Sequence, residues 1–462
     1  MKYVSTRGTA PVLSFEDAMM TGLARDGGLY VPETWPTLDA REIADLAGKS
    51  YEDIAYEVMR PFIGDAFDDD AFRGIISRAY ASFAHAARCP IRQLGANHFL
   101  LELFHGPTLA FKDVAMQLIG QMFEAKLKER GEKLTIVGAT SGDTGSAAIE
   151  AFAGLDSVDV FIMYPHNRVS EVQCRQMTTP DAANVHALAI DSDFDDCQAN
   201  LKAMFNHFEF RDRVRLAGVN SINWARVLAQ VVYYFTAAVS LGAPHRKVSF
   251  SVPSGNFGDI FAGYVAHKMG LPIEKLIIAT NQNDILHRTL ETGRYTKQPV
   301  IPSTSPSMDI QVSSNFERLL FELYNREGSA VSQLMEELNE QGGFTLSQGA
   351  LASLRDLFSS ARASEQEVAA TITATHSETG EIICPHTACG VLASTRALGQ
   401  TPIVTLATAH PAKFPDAVEA ATGTRPDLPA KMGNLMQKPE RVTRLPNSRD
   451  AIEALILERT GH

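Results

Sequence analysis

The chain has 462 residues, of which 45% are hydrophobic and 21% are charged, close to the averages of soluble globular proteins. A common domain has ~150 residues, so this length predicts two or three domains and excludes a small disulfide-stapled scaffold. Asp and Glu (54) outnumber Lys and Arg (42), and the resulting net charge of −12 argues against nonspecific binding to nucleic acids or anionic membranes.

Cysteine usage and the N-terminal segment bear on the compartment. The cysteines are odd in number and scattered, as in proteins whose thiols stay reduced, which argues against a disulfide framework. They are Cys89, Cys174, Cys197, Cys384 and Cys389. The N-terminal stretch MKYVSTRGTAPVLSFEDAMM lacks the apolar core of a secretory signal, and no apolar run of ~20 residues follows it. We therefore expect a cytoplasmic protein.

The first part of the chain, residues 1–97, is predicted to form a mainly helical N-terminal unit. Apolar residues recur at helical spacing in SFEDAMMTGLAR, YEDIAYEVMRPFI and DDDAFRGIISRAYASFAHAA, and Ser14 suits the N-cap of the first helix. A loop rich in Gly and Pro, DGGLYVPETWP, lies between the first two helices.

From residue 98 onward, short apolar runs alternate with longer helical patterns. The runs are HFLLELF, KLTIVGAT, VDVFIMYP, NVHALAI, KVSFSVP, KLIIATN and, at 402–409, PIVTLATA. This alternation predicts βαβ units and parallel sheets. We expect a smaller α/β subdomain over residues 98–215 and a larger one over residues 216–462.

Two later stretches are predicted to lie outside the sheets. The acidic region 329–378 has the pattern of surface helices lying between strands. The basic, Pro-containing segment PERVTRLPNSRDA is predicted to be a connector, which leads into a final helix, AIEALILERT.

A lysine follows the first strand-like run of the smaller subdomain. In LELFHGPTLAFKDVAMQ the run breaks at His105, and a helix starts near Phe111. Lys112 therefore falls at a strand end, where ligands of open α/β folds collect. In an apolar setting its amine could act as a nucleophile or base. For a lone lysine, however, the base rate favours a solvated surface cation.

The next strand leads into a loop of small residues and then an Ala-rich helix, in KLTIVGATSGDTGSAAIEAF. Thr140, Ser141 and Thr144 supply hydroxyl groups beside the helix N-terminus, which suits an anion. Asp143 would suit a cap, or an acceptor to a hydroxyl or ammonium group. A tight turn into a packed helix explains the glycines equally well.

A second glycine-rich turn occurs in KVSFSVPSGNFGDIFAGYVAHKMG. Its residues can aim consecutive backbone N–H groups at one point beside a helix N-terminus, which favours a phosphate monoester. They are Ser254, Gly255, Asn256, Phe257 and Gly258. Neither loop has Gly-x-Gly-x-x-Gly spacing, so a dinucleotide site is excluded. Together with Lys112, the two loops point to pyridoxal 5′-phosphate, with SGNFGD as the phosphate cup.

Several segments, in order, resemble threonine synthases of the longer bacterial and fungal type. They are FHGPTLAFKD, TSGDTG, VPSGNFGD, NSINWARVLAQ, PHTACGV and ATAHPAKF, and DGGLYVP is similar to the N-terminal unit of that family. The resemblance spans residues 1 to 425. It implies a fold-type II lyase, similar to the tryptophan synthase β subunit. This enzyme would use pyridoxal 5′-phosphate to convert O-phospho-L-homoserine and water into L-threonine and phosphate, the last step of threonine biosynthesis.

The resemblance also implies roles for residues. Lys112 matches the Schiff-base lysine, and residues 254–258 match the cofactor-phosphate loop. Asp143 would face the ring hydroxyl of the cofactor and Thr408 its pyridine nitrogen. The family's TSGDTG segment would hold the substrate carboxylate or phosphate through Thr140, Ser141 and Thr144.

Donors for the leaving phosphate are expected near the start of the NSINWARVLAQ helix. Arg226 lies there and could bind the phosphate. The alternative interpretation is that Arg226 is a surface residue paired with a carboxylate. Three polar residues lie just upstream: Asn220, Ser221 and Asn223. The motifs also contain residues whose roles stay open, namely His105, His386, His410 and Lys413, and Asp309 as an expected loop anchor.

Other interpretations remain at this stage. Cys384, His386 and Cys389 lie close together, but no second pair with zinc-ligand spacing occurs, so we expect no metal site. The chain could be another fold-type II lyase, or a threonine-synthase-like protein that senses a phosphorylated ligand without catalysis. The expected partner is a small molecule, and the sequence leaves monomer and homodimer open.

Overall fold

The structure is a computed structural model that describes residues 1–461. Two sheets form its core, one of six strands and one of five, and an N-terminal unit packs against helices that flank them. This arrangement confirms the predicted α/β fold with two parallel-sheet subdomains and a mainly helical N-terminal unit. Within residues 1–461, none of the helices combines the length and the apolar character needed to cross a membrane.

The strands are β1 (Tyr3–Ser5), β2 (Tyr30–Pro32), β3 (Ile91–Gly95), β4 (His98–Glu102), β5 (Leu134–Ala139), β6 (Val158–Pro165), β7 (Val185–Ile190), β8 (Leu216–Ala217), β9 (Val248–Pro253), β10 (Ile273–Thr280), β11 (Arg294–Thr296), β12 (Gly343–Thr345), β13 (Phe358–Arg362), β14 (Ile403–Ala407) and β15 (Val442–Leu445). The α-helices are α1 (Phe15–Thr21), α2 (Ala40–Ala44), α3 (Tyr51–Ile63), α4 (Asp69–Tyr80), α5 (Lys112–Arg130), α6 (Asp143–Phe152), α7 (Glu171–Thr178), α8 (Phe194–Asn206), α9 (Phe208–Arg213), α10 (Trp224–Ser240), α11 (Gly258–Lys268), α12 (Ile285–Thr292), α13 (Phe316–Leu323), α14 (Gly328–Gln341), α15 (Gln348–Leu357), α16 (Glu365–Thr379), α17 (Pro385–Ala397), α18 (Pro415–Thr422) and α19 (Arg449–Thr460).

Side-chain caps fix where the helices of the N-terminal unit begin. Ser14, Ser50 and Asp68 each accept a hydrogen bond from the N–H group three residues later, at the starts of α1, α3 and α4. The expected cap at Ser14 is therefore confirmed. The unit also contains an antiparallel strand pair, β1 and β2, that was not predicted. Through α3 and α4 it packs on α10 and α5, the helices that carry Arg226 and Lys112.

The six-stranded sheet has the order β13-β10-β9-β14-β4-β3, with β3 antiparallel at one edge and the other strands parallel. Strands β9 and β14 are buried along their whole length. A strand covered on both faces buries side chains at every position, which explains why these strands are mostly apolar; Ser249, Ser251 and Thr405 are the small polar residues among them.

The five-stranded sheet has the order β15-β7-β6-β5-β8, and all its strands are parallel. Helix α6 follows β5 and packs on β6, so the TSGDTG loop lies at the carboxyl end of a central strand. The final helix, α19, packs on α8 beside this sheet and confirms the helix predicted at the end of the chain.

The four edge strands of the two large sheets, β3, β8, β13 and β15, lie where the sequence predicted none. β13 falls inside the stretch predicted as surface helices, and β15 falls inside the predicted connector. Sheet membership also crosses the proposed boundary at residue 97 and the division at residue 215. β3 and β4, on either side of residue 97, both join the six-stranded sheet, whereas β8 and β15, after residue 215, belong to the five-stranded one. An apolar run shows that a strand forms but not which sheet it joins, because strand pairing is a long-range property.

Candidate active site

Lys112 is the first residue of α5 and lies at the junction of the two sheets' loops. The turn after β4 is tied to the end of β14, because the Phe111 N–H donates to the Thr408 carbonyl at 2.8 Å and an isolated bridge pairs Ala110 with Ala409. The Lys112 Nζ lies 3.6 Å from Oδ2 of Asp143 and 3.5 Å from Oγ of Ser307. The amine is thus held by loops from both halves of the protein.

The Lys112 side chain is buried, with only 9% of the residue exposed. Burial lowers the pKa of its amine; Asp143 opposes this shift, while Arg226 and Lys413 add to it. The amine can therefore lose its proton more easily than a surface lysine. The alternative of a solvated surface cation is excluded by this position.

Asp143 is the acidic centre of the site. Its Oδ1 accepts hydrogen bonds from Lys413 Nζ at 2.8 Å and from Gln173 Nε2 at 2.9 Å. Burial by itself would raise the pKa of this carboxyl, but Lys413 and Lys112 hold it well below its ordinary value. The carboxylate therefore stays ionised between two buried lysines, as the sequence expected for an acceptor to an ammonium group.

The TSGDTG loop is held by one of its own side chains. The Thr140 hydroxyl accepts hydrogen bonds from the N–H groups of Gly142 and Gly145, both at 2.9 Å. Gly142 has a φ of +138°, and a Cβ there would lie 2.4 Å from the Gln173 side chain. Ser141 and Thr144 are half-buried, and their hydroxyls form no hydrogen bond with any other described residue. They remain able to bind a ligand, whereas Thr140 already serves the loop.

The glycine-rich turn of residues 254–258 has two of its carbonyls fixed by hydrogen bonds. The Gly255 carbonyl accepts from Ser313 Oγ at 2.6 Å, and the Asn256 carbonyl accepts from the Asn315 N–H at 3.0 Å. Because a trans peptide is planar, the N–H groups of the same peptides point the opposite way. The loop thus presents N–H groups at the start of α11, a geometry that binds anions.

The backbone of this loop tolerates few substitutions. A Cβ at Gly255 would lie 2.8 Å from the Ser307 carbonyl oxygen, and one at Gly258 would lie 3.2 Å from Asn315 Nδ2. Phe257 has a left-handed φ of +64° and a buried ring, and such a conformation costs a non-glycine residue about 1–3 kcal/mol. Phe257 would therefore serve the cofactor through its backbone and not its ring. Ser254 donates its hydroxyl to the Val252 carbonyl at 2.8 Å.

Arg226 is a buried cation that forms no ion pair with any carboxylate of residues 1–461. It is 2% exposed, its Nη1 donates to the Val219 carbonyl at 3.2 Å, and its Nε has no hydrogen-bond partner within residues 1–461. Burial lowers its pKa to about 10. A buried charge is costly unless it is paired, so this guanidinium is suited to an anionic ligand. The alternative of a surface arginine in an ion pair is wrong.

The three polar residues upstream of Arg226 differ in their contacts. Asn223 caps α10 through Oδ1 and donates from Nδ2 to the Met19 carbonyl at 2.8 Å, so its amide already serves the fold. The side chains of Asn220 and Ser221 are half-buried, and neither is hydrogen-bonded within the described chain. Of the predicted phosphate donors, these two and Arg226 remain available.

Two further groups complete the surroundings of Lys112. Thr408 is 5% exposed, and its hydroxyl forms no hydrogen bond among the residues described. Its carbonyl accepts a hydrogen bond from the Phe111 N–H, which places the hydroxyl near Lys112. The Ser307 N–H donates to His386 Nε2 at 3.2 Å, and Ser307 Oγ lies 3.4 Å from Asp143 Oδ2. Burial lowers the pKa of His386 to about 4, so the imidazole is neutral and accepts at Nε2.

Sequence reasoning missed Ser307 and left Lys413 without a role. Ser307 lies in the SPSMDIQVSSNFERL stretch, which drew attention only for Asp309. Asp309 is a loop anchor as expected, since it accepts from Asn281, Asn283 and Ser303. No periodicity or motif marks Ser307, because it acts through a long-range contact.

The remaining residues noted in the sequence serve local structure. His105 Nε2 lies 2.7 Å from a Glu102 oxygen, and His410 Nδ1 accepts from the Ala412 N–H at 3.2 Å. Cys384 caps α17 by accepting from the Thr387 N–H.

These groups fit pyridoxal 5′-phosphate. The buried amine of Lys112, whose pKa is lowered, lies near the N–H groups of residues 254–258, in a turn where a Cβ on Gly255 or Gly258 would meet neighbouring atoms. The Thr408 hydroxyl, which has no hydrogen-bond partner among residues 1–461, lies beside Lys112. An aldehyde with a phosphate tail needs this combination of an amine and an anion cup.

Comparison with known proteins gives consistent matches along the chain. The family models match a threonine synthase N terminus at residues 2–80, a pyridoxal-phosphate dependent enzyme at residues 85–337 and a threonine synthase C-terminal region at residues 387–456. Threonine synthase of Pseudomonas aeruginosa is 53% identical, over 99% of this chain and 98% of its own length.

Comparison with solved structures also gives matches to threonine synthases. The crystal structure of pyridoxal-phosphate-bound threonine synthase from Brucella melitensis is 57% identical and superposes with a TM-score of 0.98, covering 100% of both chains. The threonine synthase structure from yeast is 39% identical with a TM-score of 0.95, covering 100% of this chain and 99% of its own.

Proposed function

This chain belongs to the threonine synthase family, and from that premise we propose how its residues carry out the pyridoxal-phosphate-dependent conversion of O-phospho-L-homoserine and water into L-threonine and phosphate. The observation that carries the proposal is the buried Lys112 amine, in contact with the Asp143 carboxylate and near an arginine that lacks a counter-ion. The sites for the amine, the cofactor phosphate and the substrate phosphate then lie together where the loops of the two sheets meet.

The cofactor would be held at both ends. The N–H groups of residues 254–258 would bind its phosphate, and Lys112 would bind its carbonyl carbon. The Thr408 hydroxyl would face the pyridine nitrogen, and Asp143 would lie on the side of the ring hydroxyl. When bound, pyridoxal phosphate supplies the electron sink that makes the Cα and Cβ protons of an amino acid acidic.

Lys112 would be the base that moves the protons. Its lowered pKa allows the amine to take a proton from Cα and then from Cβ of the substrate, and to return protons at Cγ and Cα. Phosphate leaves from Cγ and water adds at Cβ. The protonated amine would be stabilised by Asp143 and Ser307, which lie 3.6 and 3.5 Å from Nζ.

The substrate would be oriented by its two anionic groups. Ser141 and Thr144, at the start of α6, would bind one of them, the carboxylate. Arg226, with Asn220 and Ser221, would bind the phosphate. Charge-assisted hydrogen bonds of this kind are the stronger ones, worth about 1.5–3 kcal/mol each.

The domain boundaries, the cellular location and the oligomeric state are also proposals. We keep the units 1–97, 98–215 and 216–462 as proposed domains, with the sheet memberships of β3, β4, β8 and β15 noted above. A cytoplasmic location is supported by cysteine usage, and the oligomeric state is open between monomer and homodimer.

The function is tested with Lys112→Ala. Because one amine is both the cofactor attachment and the base, the variant should lose turnover and the borohydride-reducible yellow chromophore together. Wild type should release inorganic phosphate from phosphohomoserine but no ammonia from serine, which separates it from other fold-type II lyases. Lys126→Ala is the matched control and should keep activity, because the buried Lys126 ammonium forms ion pairs with Glu16 and Glu129 and lies over the Phe67 ring, with none of the proposed site residues among these partners. Near-normal turnover in Lys112→Ala would contradict the assignment.

A further inference from the structure

One amide side chain touches both of the loops assigned to anions. Asn315 Nδ2 donates to the Asn256 carbonyl at 3.1 Å and to the Ser221 carbonyl at 3.2 Å. The Asn315 N–H also donates to the Asn256 carbonyl, at 3.0 Å. The cofactor-phosphate loop and the loop that precedes Arg226 are therefore joined through one residue at the start of α13.

A buried arginine fixes the orientation of this amide. Arg318 is fully buried, and its guanidinium donates to Oδ1 of Asn315, to the Ile222 carbonyl and, at 3.1 Å, to the Tyr30 carbonyl. Since Oδ1 accepts from Arg318, Nδ2 is left for the two carbonyls. No carboxylate forms an ion pair with Arg318 in the described part of the chain, so its charge is directed at backbone and amide oxygens.

The direction of these carbonyls decides where the N–H groups of the loop point. Asn256 shares a peptide plane with the Phe257 N–H, and the two groups lie on opposite sides of that plane. Two donors from Asn315 hold the Asn256 carbonyl outward, so the Phe257 N–H faces the phosphate cup. The same logic applies to the peptide after Ser221, whose N–H belongs to Ile222.

We propose that Asn315, oriented by Arg318, is a positioning residue that sets the N–H directions of the cofactor-phosphate loop and of the substrate-phosphate loop at once. The inference rests on the proposed function, because it takes residues 254–258 as the phosphate cup. It also gives the N-terminal unit a part in the site. The Tyr30 carbonyl, in the DGGLYVP segment, is one of the three acceptors that fix Arg318.

The test compares two ligands that differ only in the phosphate. The full-length chain, freed of cofactor, is titrated with pyridoxal 5′-phosphate and with pyridoxal for wild type, Asn315→Ala and Asn315→Asp. The aspartate variant keeps an acceptor for Arg318 and so preserves packing, but it has no Nδ2 donor. Asn184→Ala is the matched control, because Asn184 Nδ2 also binds backbone carbonyls, those of Phe152, Leu155 and Val158, away from the site.

We expect both Asn315 variants to bind pyridoxal phosphate at least about tenfold more weakly, a loss of about 1.4 kcal/mol, with a much smaller change for pyridoxal. In steady state, KM for phosphohomoserine should rise more than kcat falls. Asn184→Ala should lower the melting temperature without this selectivity. If the Asn315 variants weaken both ligands equally, Asn315 is only structural and the inference is wrong.

A further variant separates this inference from the proposed function. Gly255→Val obstructs the cup directly, because its side chain meets the Ser307 carbonyl. Selective loss of pyridoxal phosphate in Gly255→Val but not in Asn315→Asp would overturn the positioning role alone. If neither variant selectively weakens the binding of pyridoxal phosphate, the assignment of residues 254–258 as the phosphate cup is overturned as well.

Discussion

Two loops of this protein look alike in sequence but are built differently. Both TSGDTG and SGNFGD follow a buried strand and lead into a helix that carries an aspartate in its first turn, Asp143 in α6 and Asp259 in α11. The first loop is held by its own Thr140 hydroxyl, whereas the second is held by Ser313 and Asn315, far along the chain. A strand, glycine turn and helix therefore do not reveal what stabilises the turn.

The two aspartates differ even more in charge. Asp143 lies between Lys112 and Lys413 and stays ionised. Asp259 accepts hydrogen bonds only from neutral groups, the hydroxyls of Tyr233 and Tyr234, and burial raises its pKa to about 7. Position at a helix start is thus a weaker determinant of ionisation than the charges that face the carboxyl group.

The largest effect should come from removing the charge of Asp143. Asp143→Asn leaves Lys112 and Lys413 buried without a counter-ion, so the free energy of unfolding should fall by about 3–5 kcal/mol and turnover should be lost. Urea unfolding of the full-length chain measures the loss. Asp309→Asn is the matched control, because Asp309 is bound by neutral side chains; equal losses in the two variants would contradict the charge argument.

The second prediction uses pH to separate the two aspartates. The folded pKa of Asp259 is about 7, above the unfolded value of about 3.9, so stability from this group is present below pH 4 and is lost as the pH rises to 7. Asp259→Asn does not titrate, and its free energy of unfolding relative to wild type should rise by about 2–4 kcal/mol across that window.

The Asp143 carboxyl should behave with the opposite sign. Its folded pKa lies below the ordinary value, so its stabilisation is present above about pH 4 and is lost as the pH falls further. A difference between wild type and Asp259→Asn that stays constant from pH 4 to 7 would show that Asp259 is ionised in the folded protein.

The third prediction concerns how each loop is held. Thr140→Val removes the acceptor for the N–H groups of Gly142 and Gly145, so opening of the TSGDTG loop should become easier by about 1–3 kcal/mol. Amide hydrogen exchange at these two glycines measures it. Thr140→Ser should restore protection, and exchange at residues 255–258 should stay unchanged. Faster exchange in both loops would mean that they open as one unit.

The smallest expected effect belongs to a cation outside both loops. Arg226→Ala should lower kcat/KM for phosphohomoserine at least about tenfold, or about 1.4 kcal/mol, while homoserine stays a very poor substrate for both proteins. Arg294→Ala, which removes an exposed arginine, should change neither value. Wild-type behaviour of Arg226→Ala at subsaturating substrate would place the phosphate elsewhere.

Much of the fold could be predicted because the central strands can be recognised from their own apolar sequences. β9 and β14 are buried throughout, and their sequences, VSFSVP and IVTLA, are mostly apolar. β13 and β15 could not be predicted, since FSSAR and VTRL are short, partly exposed and paired on one side only. Nor does any local pattern record that β15 joins β7, more than 250 residues earlier in the sequence.

The residues of the candidate site likewise fall into those that the sequence predicted and those that it did not. Lys112, Asp143 and the glycine loops lie at strand ends, where chain order alone predicts ligands. Ser307 and Asn315 come from an irregular stretch between β11 and α13, Arg318 lies in the first turn of α13, and all three act on groups more than 50 residues away. Asn223 was expected to bind phosphate and is instead a helix cap, because Asn suits both tasks.

The return of β15 to the five-stranded sheet has a consequence during synthesis. Residues 442–445 leave the ribosome after every strand of the six-stranded sheet, and until they do β7 remains the open edge of its sheet. The five-stranded sheet, which carries the TSGDTG loop, therefore has its first strands made before β9, β10, β13 and β14 but is completed only after them. A nascent chain that stalls before residue 442 would therefore expose an unpaired strand edge to its neighbours on the same polysome.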